Sequence, residues 1–432
     1  MNYYSLNHNS PEVTFAEATV LGQAPDKGLY FPKTIPALPK DFISSIHRYS
    51  KEEIGFIVMK PYIGDCIPDE VLQKIIKETL SFDFPLVKVS EDISSLELFH
   101  GPTLAFKDVG ARFMSRCLGY FNRDKKQEVT ILVATSGDTG GAVANGFLGL
   151  EGVDVVILYP SGKVSKIQEL QLTTLGKNIK AIEVKGTFDD CQAMVKQAFV
   201  DVDLCNHMSL TSANSINIAR WLPQQLYYFL AYQQWEEKQA PVICVPSGNF
   251  GNICAGILAY ISGLPVTHFI AACNANDVVP QYLQSGNYHP KPSVATISNA
   301  MDVGNPSNFI RIIELFNQQF DSLKNKMSSI SVSDDITATT IKEVYQKYDY
   351  ILDPHGAVAY YALQQYLKSS PSGEKGFILE TAHPVKFPDT VEDAIGIALD
   401  IPEQVQHLMF EEKHSILMKA SFTDLKAWLL NR

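Results

Sequence analysis

The stretch VTILVATSGDTGGAVANGFLGL (129–150) carries the clearest structural pattern in the chain. A β-rich apolar run leads through a glycine-rich turn into a helical pattern. The same order repeats outward from this stretch. Further strand patterns are VDVVILYP (153–160), IKAIEV (179–184), PVICVPS (241–247), VTHFIAAC (266–273) and GFILET (376–381). Strands that alternate with helices of this length predict an α/β fold with a parallel sheet covered on both faces.

The two ends of the chain differ from this α/β region. Several prolines and short helical segments predict an N-terminal lobe over residues 1–85, and the last residues predict a helical C-terminal cap over 386–432. Between them we expect two α/β domains, at 86–240 and 241–385. Apolar residues at helical spacing also predict one long helix from about Ser215 to Lys238.

Composition and charge exclude several classes of function. The net charge is −11, from 36 Lys+Arg and 47 Asp+Glu, which argues against a nucleic-acid surface. No stretch approaches the roughly 20 unbroken apolar residues of a spanning helix, and the polar N-terminus does not resemble a signal peptide. The seven cysteines include no Cys-x-x-Cys pair and the ten histidines no His-Glu-x-x-His, so no disulfide framework and no metal site is predicted. We therefore expect a cytoplasmic protein.

The segment ELFHGPTLAFKDVGARF (97–113) places Lys107 among apolar and small residues. A lysine held in such surroundings loses solvation and becomes a good nucleophile for Schiff-base formation. Most lysines, however, are solvated surface groups. Local context alone therefore does not separate a reactive lysine from an ordinary one.

Two glycine-rich loops have the features of anion sites. PSGNFGN (246–252) and ATSGDTGGA (134–142) each lie between a strand pattern and a helix pattern. Glycines let the backbone approach a ligand closely, and the N–H groups at a helix start favour a phosphate or a carboxylate. Asp138 is an exception, because its carboxylate repels an anion, and it can instead cap the helix. Taken alone, each loop is also explained as a turn without a ligand.

A fourth segment, FILETAHPVKFP (377–388), places Thr381 at the end of a strand. In an open parallel sheet the carboxyl ends of the strands face the ligand crevice. A neutral hydroxyl at this position can form a hydrogen bond with a pyridine nitrogen. Alternatively, the threonine simply caps the strand.

Together these segments resemble the fold type II pyridoxal-phosphate enzymes, the tryptophan-synthase-β-like family. TLAFKD (103–108) resembles the lysine motif of that family, and SGNFGN (247–252) resembles its loop for the cofactor phosphate. The detailed resemblance is to the long form of the threonine synthase family and covers essentially the whole chain. It is carried by GLYFP (28–32), TSGDTGGA (135–142), SLTSANSINIARWLPQ (209–224), NAMDVGNPSNF (299–309) and ETAHPVKFP (380–388). Asp26 and Lys27 depart from the Asp-Gly-Gly more usual before GLYFP, away from the expected chemistry.

The resemblance implies a fold of parallel or mixed sheets flanked by helices, and it implies roles for individual residues. Lys107 is implied to bind the cofactor pyridoxal 5'-phosphate covalently and then to act as a mobile acid and base. Thr381 is implied to contact the pyridine nitrogen. The cofactor phosphate is implied to bind Gly248, Asn249, Phe250, Gly251 and Asn252. The substrate carboxylate is assigned to Ser136, Gly137, Asp138 and Thr139. The candidates for the substrate phosphate are Arg112, Asn214, Ser215 and Arg220, because a dianion needs cationic donors.

The activity implied is that of a lyase on a small-molecule substrate. It would eliminate phosphate from the γ-carbon of O-phospho-L-homoserine and add water at the β-carbon, giving L-threonine and phosphate in the last step of threonine biosynthesis. Two alternatives share the lysine and the phosphate loop: a serine/threonine dehydratase-like lyase, and a catalytically silent homologue that binds phosphorylated ligands. A Rossmann nucleotide-binding protein is disfavoured, since neither G-x-G-x-x-G nor a Walker loop is present. We expect a monomer or a homodimer.

Overall fold

Strands and helices alternate along most of the chain. The computed structural model describes residues 1–123, 128–370 and 373–432. The strands are β1 (Asn2–Ser5), β2 (Val13–Thr14), β3 (Tyr30–Pro32), β4 (Leu86–Lys88), β5 (Ile93–Glu97), β6 (Val129–Ala134), β7 (Val153–Pro160), β8 (Ile179–Lys185), β9 (Ser209–Ser212), β10 (Val242–Pro246), β11 (His268–Cys273), β12 (Met327–Ser331), β13 (Gly376–Glu380) and β14 (Ile416–Lys419). The helices are α1 (Phe15–Leu21), α2 (Lys40–Ser44), α3 (Lys51–Ile63), α4 (Asp69–Thr79), α5 (Lys107–Asn122), α6 (Asp138–Phe147), α7 (Lys166–Thr173), α8 (Phe188–Ala198), α9 (Val202–His207), α10 (Ile218–Trp221), α11 (Gln225–Gln233), α12 (Gly251–Ile261), α13 (Val278–Ser285), α14 (Phe309–Leu315), α15 (Phe320–Lys326), α16 (Asp334–Tyr348), α17 (Pro354–Ser369), α18 (Pro388–Ile395), α19 (Glu403–Gln406) and α20 (Phe422–Leu430).

The chain forms two compact units that are interleaved in sequence. The first unit contains Met1, 31–106 and 221–400, and the second contains 2–30, 107–220 and 401–432. Each unit is thus assembled from three segments that are separated in the sequence. The linear division into four parts at residues 85, 240 and 385 therefore stays a prediction from sequence.

The first unit is built on a six-stranded sheet in the order β12-β11-β10-β13-β5-β4. Neighbouring strands are parallel except β4, which runs antiparallel to β5 at the edge. Every residue of β10 and β13 is buried, as expected for central strands covered on both faces. On one face, Cys244, Ile270 and Ile378 of the sheet share a core with Ala359 and Leu363 of α17.

The second unit is built on a five-stranded parallel sheet in the order β14-β8-β7-β6-β9. Its core joins Leu132 and Val156 of the sheet to Met194 of α8 and Leu425 of α20. The C-terminal region thus contains the predicted helices and also the edge strand β14. The strands β2, β1 and β3 form a separate three-stranded sheet.

The prediction of one long helix from Ser215 to Lys238 is wrong. The segment forms α10, a 3-10 turn over Leu222–Gln224 and then α11, which ends at Gln233. Pro223 explains the interruption, because proline has no N–H for the helical hydrogen bond and its ring clashes with the preceding turn. No helix among the described residues has the length and apolar character needed to cross a membrane.

Candidate active site

Lys107 is the first residue of α5, and its side chain is only 18% exposed. Its Nζ lies 3.8 Å from Oδ2 of Asp138, the first residue of α6. Both residues belong to the second unit. The amine is therefore withdrawn from solvent at the start of a helix, where the helix dipole disfavours a cation, and it faces the glycine-rich loop that precedes α6.

The four residues predicted to receive the substrate carboxylate all lie at this loop, where β6 ends. Gly137 and Asp138 are buried, and Ser136 and Thr139 are half-buried. Gly137 has a φ of 140°, and a Cβ there would lie 2.6 Å from the Gln168 side chain, so the position requires glycine. The structure thus brings the predicted carboxylate loop and Lys107 together within one unit.

Internal hydrogen bonds fix the shape of this loop. The Thr135 hydroxyl oxygen accepts hydrogen bonds from the N–H groups of Gly137 and Gly140, at 3.0 and 2.9 Å. Gln168 donates from Nε2 to Oδ1 of Asp138 at 2.9 Å. Gln168 itself is held by Ser165, with which it forms the capping box of α7. Asp138 therefore has a fixed orientation, with one oxygen bound to Gln168 and the other near Lys107.

The segment that leads into Lys107 is bonded to the segment that follows β13. The N–H of Phe106 donates to the carbonyl of Thr381 at 2.9 Å, and the N–H of His383 donates to the carbonyl of Leu104 at 3.0 Å. Leu104 has a φ of 57°, which costs a non-glycine residue roughly 1–2 kcal/mol. The buried amine of Lys386 donates to the carbonyl of Thr103 at 2.7 Å. The backbone just before Lys107 is therefore held in an unusual conformation by several bonds.

The predicted phosphate loop lies in the first unit, between β10 and α12. Phe250, which precedes α12, is left-handed with a φ of 61°. A Cβ on Gly248 would lie 2.5 Å from Cα of Met301, so only glycine fits. Asn252 is buried, with 7% of its surface exposed, and its Oδ1 accepts a hydrogen bond from the Tyr228 hydroxyl at 2.8 Å.

This loop fits a phosphate ligand. Within residues 1–123, 128–370 and 373–432, Nδ2 of Asn252 has no hydrogen-bond partner, although it is buried. An unsatisfied buried donor costs about 1–3 kcal/mol, and a phosphate oxygen is a suitable acceptor for it. The start of α12 also offers backbone N–H groups and the positive end of a helix dipole. The donor set therefore matches the cofactor phosphate predicted from the sequence.

Thr381 directly follows β13 and is buried, with 7% of its surface exposed. β13 pairs with β10 in parallel, with Cys244 opposite Ile378. The carboxyl ends of these neighbouring strands therefore lie side by side. Thr381 and the phosphate loop are consequently adjacent at one edge of the sheet, as the motif pattern predicts for two contacts to one ligand.

The candidates for the substrate phosphate all lie in the second unit. Arg112 is half-buried on α5, and Asn214 and Ser215 are half-buried after β9. Arg220 is 3% exposed and donates through Nη1 to the carbonyl of Ala213. At least one of its donors therefore holds the 213–217 turn. Arg112, on the same helix as Lys107, is the more accessible of the two cations.

The sequence analysis missed a buried polar network at the same edge of the first sheet. Asp353 caps α17, and its Oδ1 accepts hydrogen bonds from the backbone N–H of His355 at 2.5 Å and from Nδ1 at 2.6 Å. Its Oδ2 accepts from the N–H of Ala382 at 3.2 Å. Nε2 of His355 in turn accepts from the N–H of Ala300 at 3.2 Å. Asp353 thus links the peptide after Thr381 to the turn that packs on Gly248. The Asp-Pro-His sequence, an N-cap followed by proline, is the signal that could have revealed it.

Glu380 completes this network and is fully buried. Its Oε1 accepts a hydrogen bond from the N–H of Asp353 at 2.5 Å. Burial, and then the negative charge of Asp353, raise the pKa of Glu380 well above its usual range. Burying a carboxylate next to another is unfavourable, so the network favours a protonated Glu380.

Comparison with known proteins agrees with this reading of the motifs. A family model described as pyridoxal-phosphate dependent enzyme matches residues 94–379, and models described as threonine synthase N terminus and threonine synthase C-terminal match 2–80 and 356–428. Threonine synthase from Haemophilus influenzae is 46% identical, with 100% of each chain covered.

Solved structures give the same result. A crystal structure of threonine synthase from Escherichia coli has a TM-score of 0.93 at 43% identity, covering 100% of both chains. A PLP-bound threonine synthase from Brucella melitensis has a TM-score of 0.92 at 34% identity, covering 99% of this chain and 98% of that one. The fold type II architecture and the pyridoxal-phosphate cofactor predicted from the sequence are thereby confirmed. The chain belongs to the threonine synthase family of pyridoxal-phosphate-dependent enzymes.

Proposed function

We propose that the chain converts O-phospho-L-homoserine and water into L-threonine and phosphate. The observation that carries the proposal is the position of the Lys107 amine, 3.8 Å from Asp138 in the loop assigned to the substrate carboxylate. If the substrate carboxylate binds this loop, the Lys107 amine is within reach of the substrate carbons next to that carboxylate. The family to which the chain belongs supports the same reaction.

Lys107 serves as the acid and base in this proposal. Pyridoxal phosphate, when bound, withdraws electrons from the substrate carbons next to the amino group. The Lys107 amine takes the proton from Cα and passes it to the phosphate group of the substrate. It then takes a proton from Cβ, which lets the phosphate leave Cγ, and returns that proton to Cγ. Water adds its hydroxyl at Cβ, and its proton passes through the amine to Cα, which completes threonine. A carboxylate near the amine stabilises its protonated form, so Asp138 favours the proton-donating half of this cycle.

The other predicted contacts are proposed on the placements described above. Gly248, Asn249, Phe250, Gly251 and Asn252 bind the cofactor phosphate, and Thr381 binds the pyridine nitrogen. Ser136, Gly137, Asp138 and Thr139 form the substrate carboxylate loop. Arg112, Asn214, Ser215 and Arg220 bind the substrate phosphate. We also propose a cytoplasmic enzyme that acts as a monomer or homodimer, without a nucleic-acid partner, in keeping with the net charge of −11.

The direct test is incubation of the purified protein with O-phospho-L-homoserine, with phosphate and threonine measured in the same sample. Equal amounts of both products are expected. A dehydratase-like lyase would instead form a 2-oxo acid from serine or threonine. A silent homologue would show the absorbance of bound cofactor and release no phosphate, and that result would contradict the proposed function.

Asn252→Asp is expected to weaken binding of pyridoxal phosphate at least about tenfold, because it replaces a buried donor with an acceptor that repels the phosphate. The measurement is a titration of the apo-protein with pyridoxal phosphate, followed by absorbance. Thermal unfolding without cofactor is the control for the fold. Unchanged affinity in a folded variant would remove Asn252 from the phosphate site.

A further inference from the structure

Arg311 is a fully buried cation on α14, in the first unit. Its guanidinium stacks over the ring of Trp221, with 4.4 Å from Cζ to the ring centre. Burial lowers the pKa of Arg311 to about 10, so the side chain remains charged at neutral pH. Burying a guanidinium is costly, and neither the predicted motifs nor the proposed chemistry explains why a charge is kept here.

Hydrogen bonds connect Arg311 to Asn249 of the phosphate loop through Asn308. Nη1 of Arg311 donates to Oδ1 of Asn308 at 2.7 Å. Asn308 donates to the carbonyl of Asn249 from its backbone N–H at 3.3 Å and from Nδ2 at 3.2 Å. The N–H of Ser307 donates to Oδ1 of Asn249 at 2.6 Å. A single residue, Asn308, thus connects the guanidinium to Asn249 of the loop.

An electrostatic interaction also connects Arg311 with the start of α12. Burial raises the pKa of the Cys254 thiol, in the first turn of that helix, and the positive charge of Arg311 opposes this rise. The charge of Arg311 therefore acts on the helix end that offers N–H groups to a ligand. The loop itself, PSGNFGN, contains no lysine or arginine. The only positive charge that it offers a phosphate is the partial charge at the start of the helix.

We propose that Arg311 provides the positive charge that stabilises the cofactor phosphate through space, while it positions Asn249 through Asn308. The inference rests on the proposed role of Gly248–Asn252 as the phosphate loop. Inside a protein the low dielectric constant lets a charge act over a longer distance than in water. A buried guanidinium can therefore favour a phosphate dianion without touching it, and it does so without occupying the space that the ligand needs.

The test compares pyridoxal phosphate with pyridoxal, which has the same ring and aldehyde without the phosphate. Arg311→Met, similar in length but uncharged, is expected to weaken binding of pyridoxal phosphate by the apo-protein at least about tenfold. Binding of pyridoxal should change less than about twofold. Arg311→Lys, which keeps the charge, should recover part of the lost affinity. In ³¹P NMR, the bound phosphate of the Met variant should take up a proton at a higher pH than in wild type.

A second pair of variants keeps Arg311 and changes its neighbour. Asn308→Asp places a carboxylate next to the guanidinium, whereas Asn308→Ala removes only the side-chain hydrogen bonds of Asn308 and leaves the charge of Arg311. The Asp variant is expected to lose clearly more affinity for pyridoxal phosphate than the Ala variant. Equal losses in this pair, or equal weakening of pyridoxal and pyridoxal phosphate by Arg311→Met, would show that Arg311 acts through packing alone. A wild-type chain that binds pyridoxal but not pyridoxal phosphate would contradict the phosphate loop itself.

Discussion

Lys107→Ala is expected to lower phosphate release from O-phospho-L-homoserine by at least about 10⁴-fold. The proposed cycle uses this one amine at more than one carbon, so its removal affects several proton transfers at once. The side chain is also mostly buried beside Asp138, and bulk water therefore does not readily replace it as a base. The measurement is the rate of phosphate release with threonine assayed in parallel, together with the absorbance of the bound cofactor.

The fold should survive this substitution. Lys107 begins α5, where a cation is unfavourable to the helix dipole, so thermal unfolding of the variant without cofactor should match wild type. The exposed Lys163, in the same unit, provides the matched control, and Lys163→Ala should keep full activity. Added small amines should restore part of the activity of Lys107→Ala. Activity above about 1% of wild type in a folded variant, against the 10²–10⁴-fold typical of a lost general base, would exclude Lys107 as that base.

The parts of this chain that sequence reasoning anticipated are those with local signals. The strand and helix patterns around 129–150 correspond to β6 and α6. Both could be predicted because the spacing of apolar residues and the glycine-rich turn depend only on residues that are close in sequence. The buried setting of Lys107, the position of Gly248 and the placement of Thr381 at a strand end agree with the motifs that predicted them. The family and its cofactor were predicted from motifs that occur together and in order, and the comparison with known proteins confirmed both.

The parts that sequence reasoning missed depend on residues far apart in the chain. Arg311 lies in FIRIIEL, a segment that reads as an ordinary helix with an exposed arginine, and only tertiary packing shows that it is buried. Asp353 reads as a helix cap, which it is, but its second oxygen also accepts a hydrogen bond from the N–H of Ala382, 29 residues further along the chain. The interleaving of the two units was missed for the same reason, since no local sequence pattern shows which distant segments pack together.

The pairing of Gly356 with Glu380 is another such contact, and it gives the second large prediction. A Cβ on Gly356 would lie 1.6 Å from Oε2 and 2.5 Å from Cδ of Glu380. Glu380 is fully buried and bound to the N–H of Asp353, so it cannot move aside without breaking the network. Gly356→Ala is therefore expected to lower the free energy of unfolding by about 2–4 kcal/mol. Alanine in place of glycine ordinarily stabilises a helix by roughly 1 kcal/mol. A decrease in the free energy of unfolding would therefore be the opposite of what helix propensity alone predicts.

Two double variants separate the clash from the charge. Gly356→Ala with Glu380→Ser makes room for the new methyl group and should recover most of the lost stability. Gly356→Ala with Glu380→Gln keeps the side-chain size and should not recover it.

The ionisation of Glu380 affects the pH dependence of stability, because the pKa of Glu380 is raised in the folded state. Its contribution to stability is fully present below the unfolded pKa of about 4.3 and is lost as the pH rises toward the folded pKa. Glu380→Gln alone should therefore flatten the fall in stability above that pH, measured by chemical unfolding at a series of pH values. A Gly356→Ala variant as stable as wild type would mean that Glu380 moves freely, and the network could not then hold the peptide after Thr381 in place.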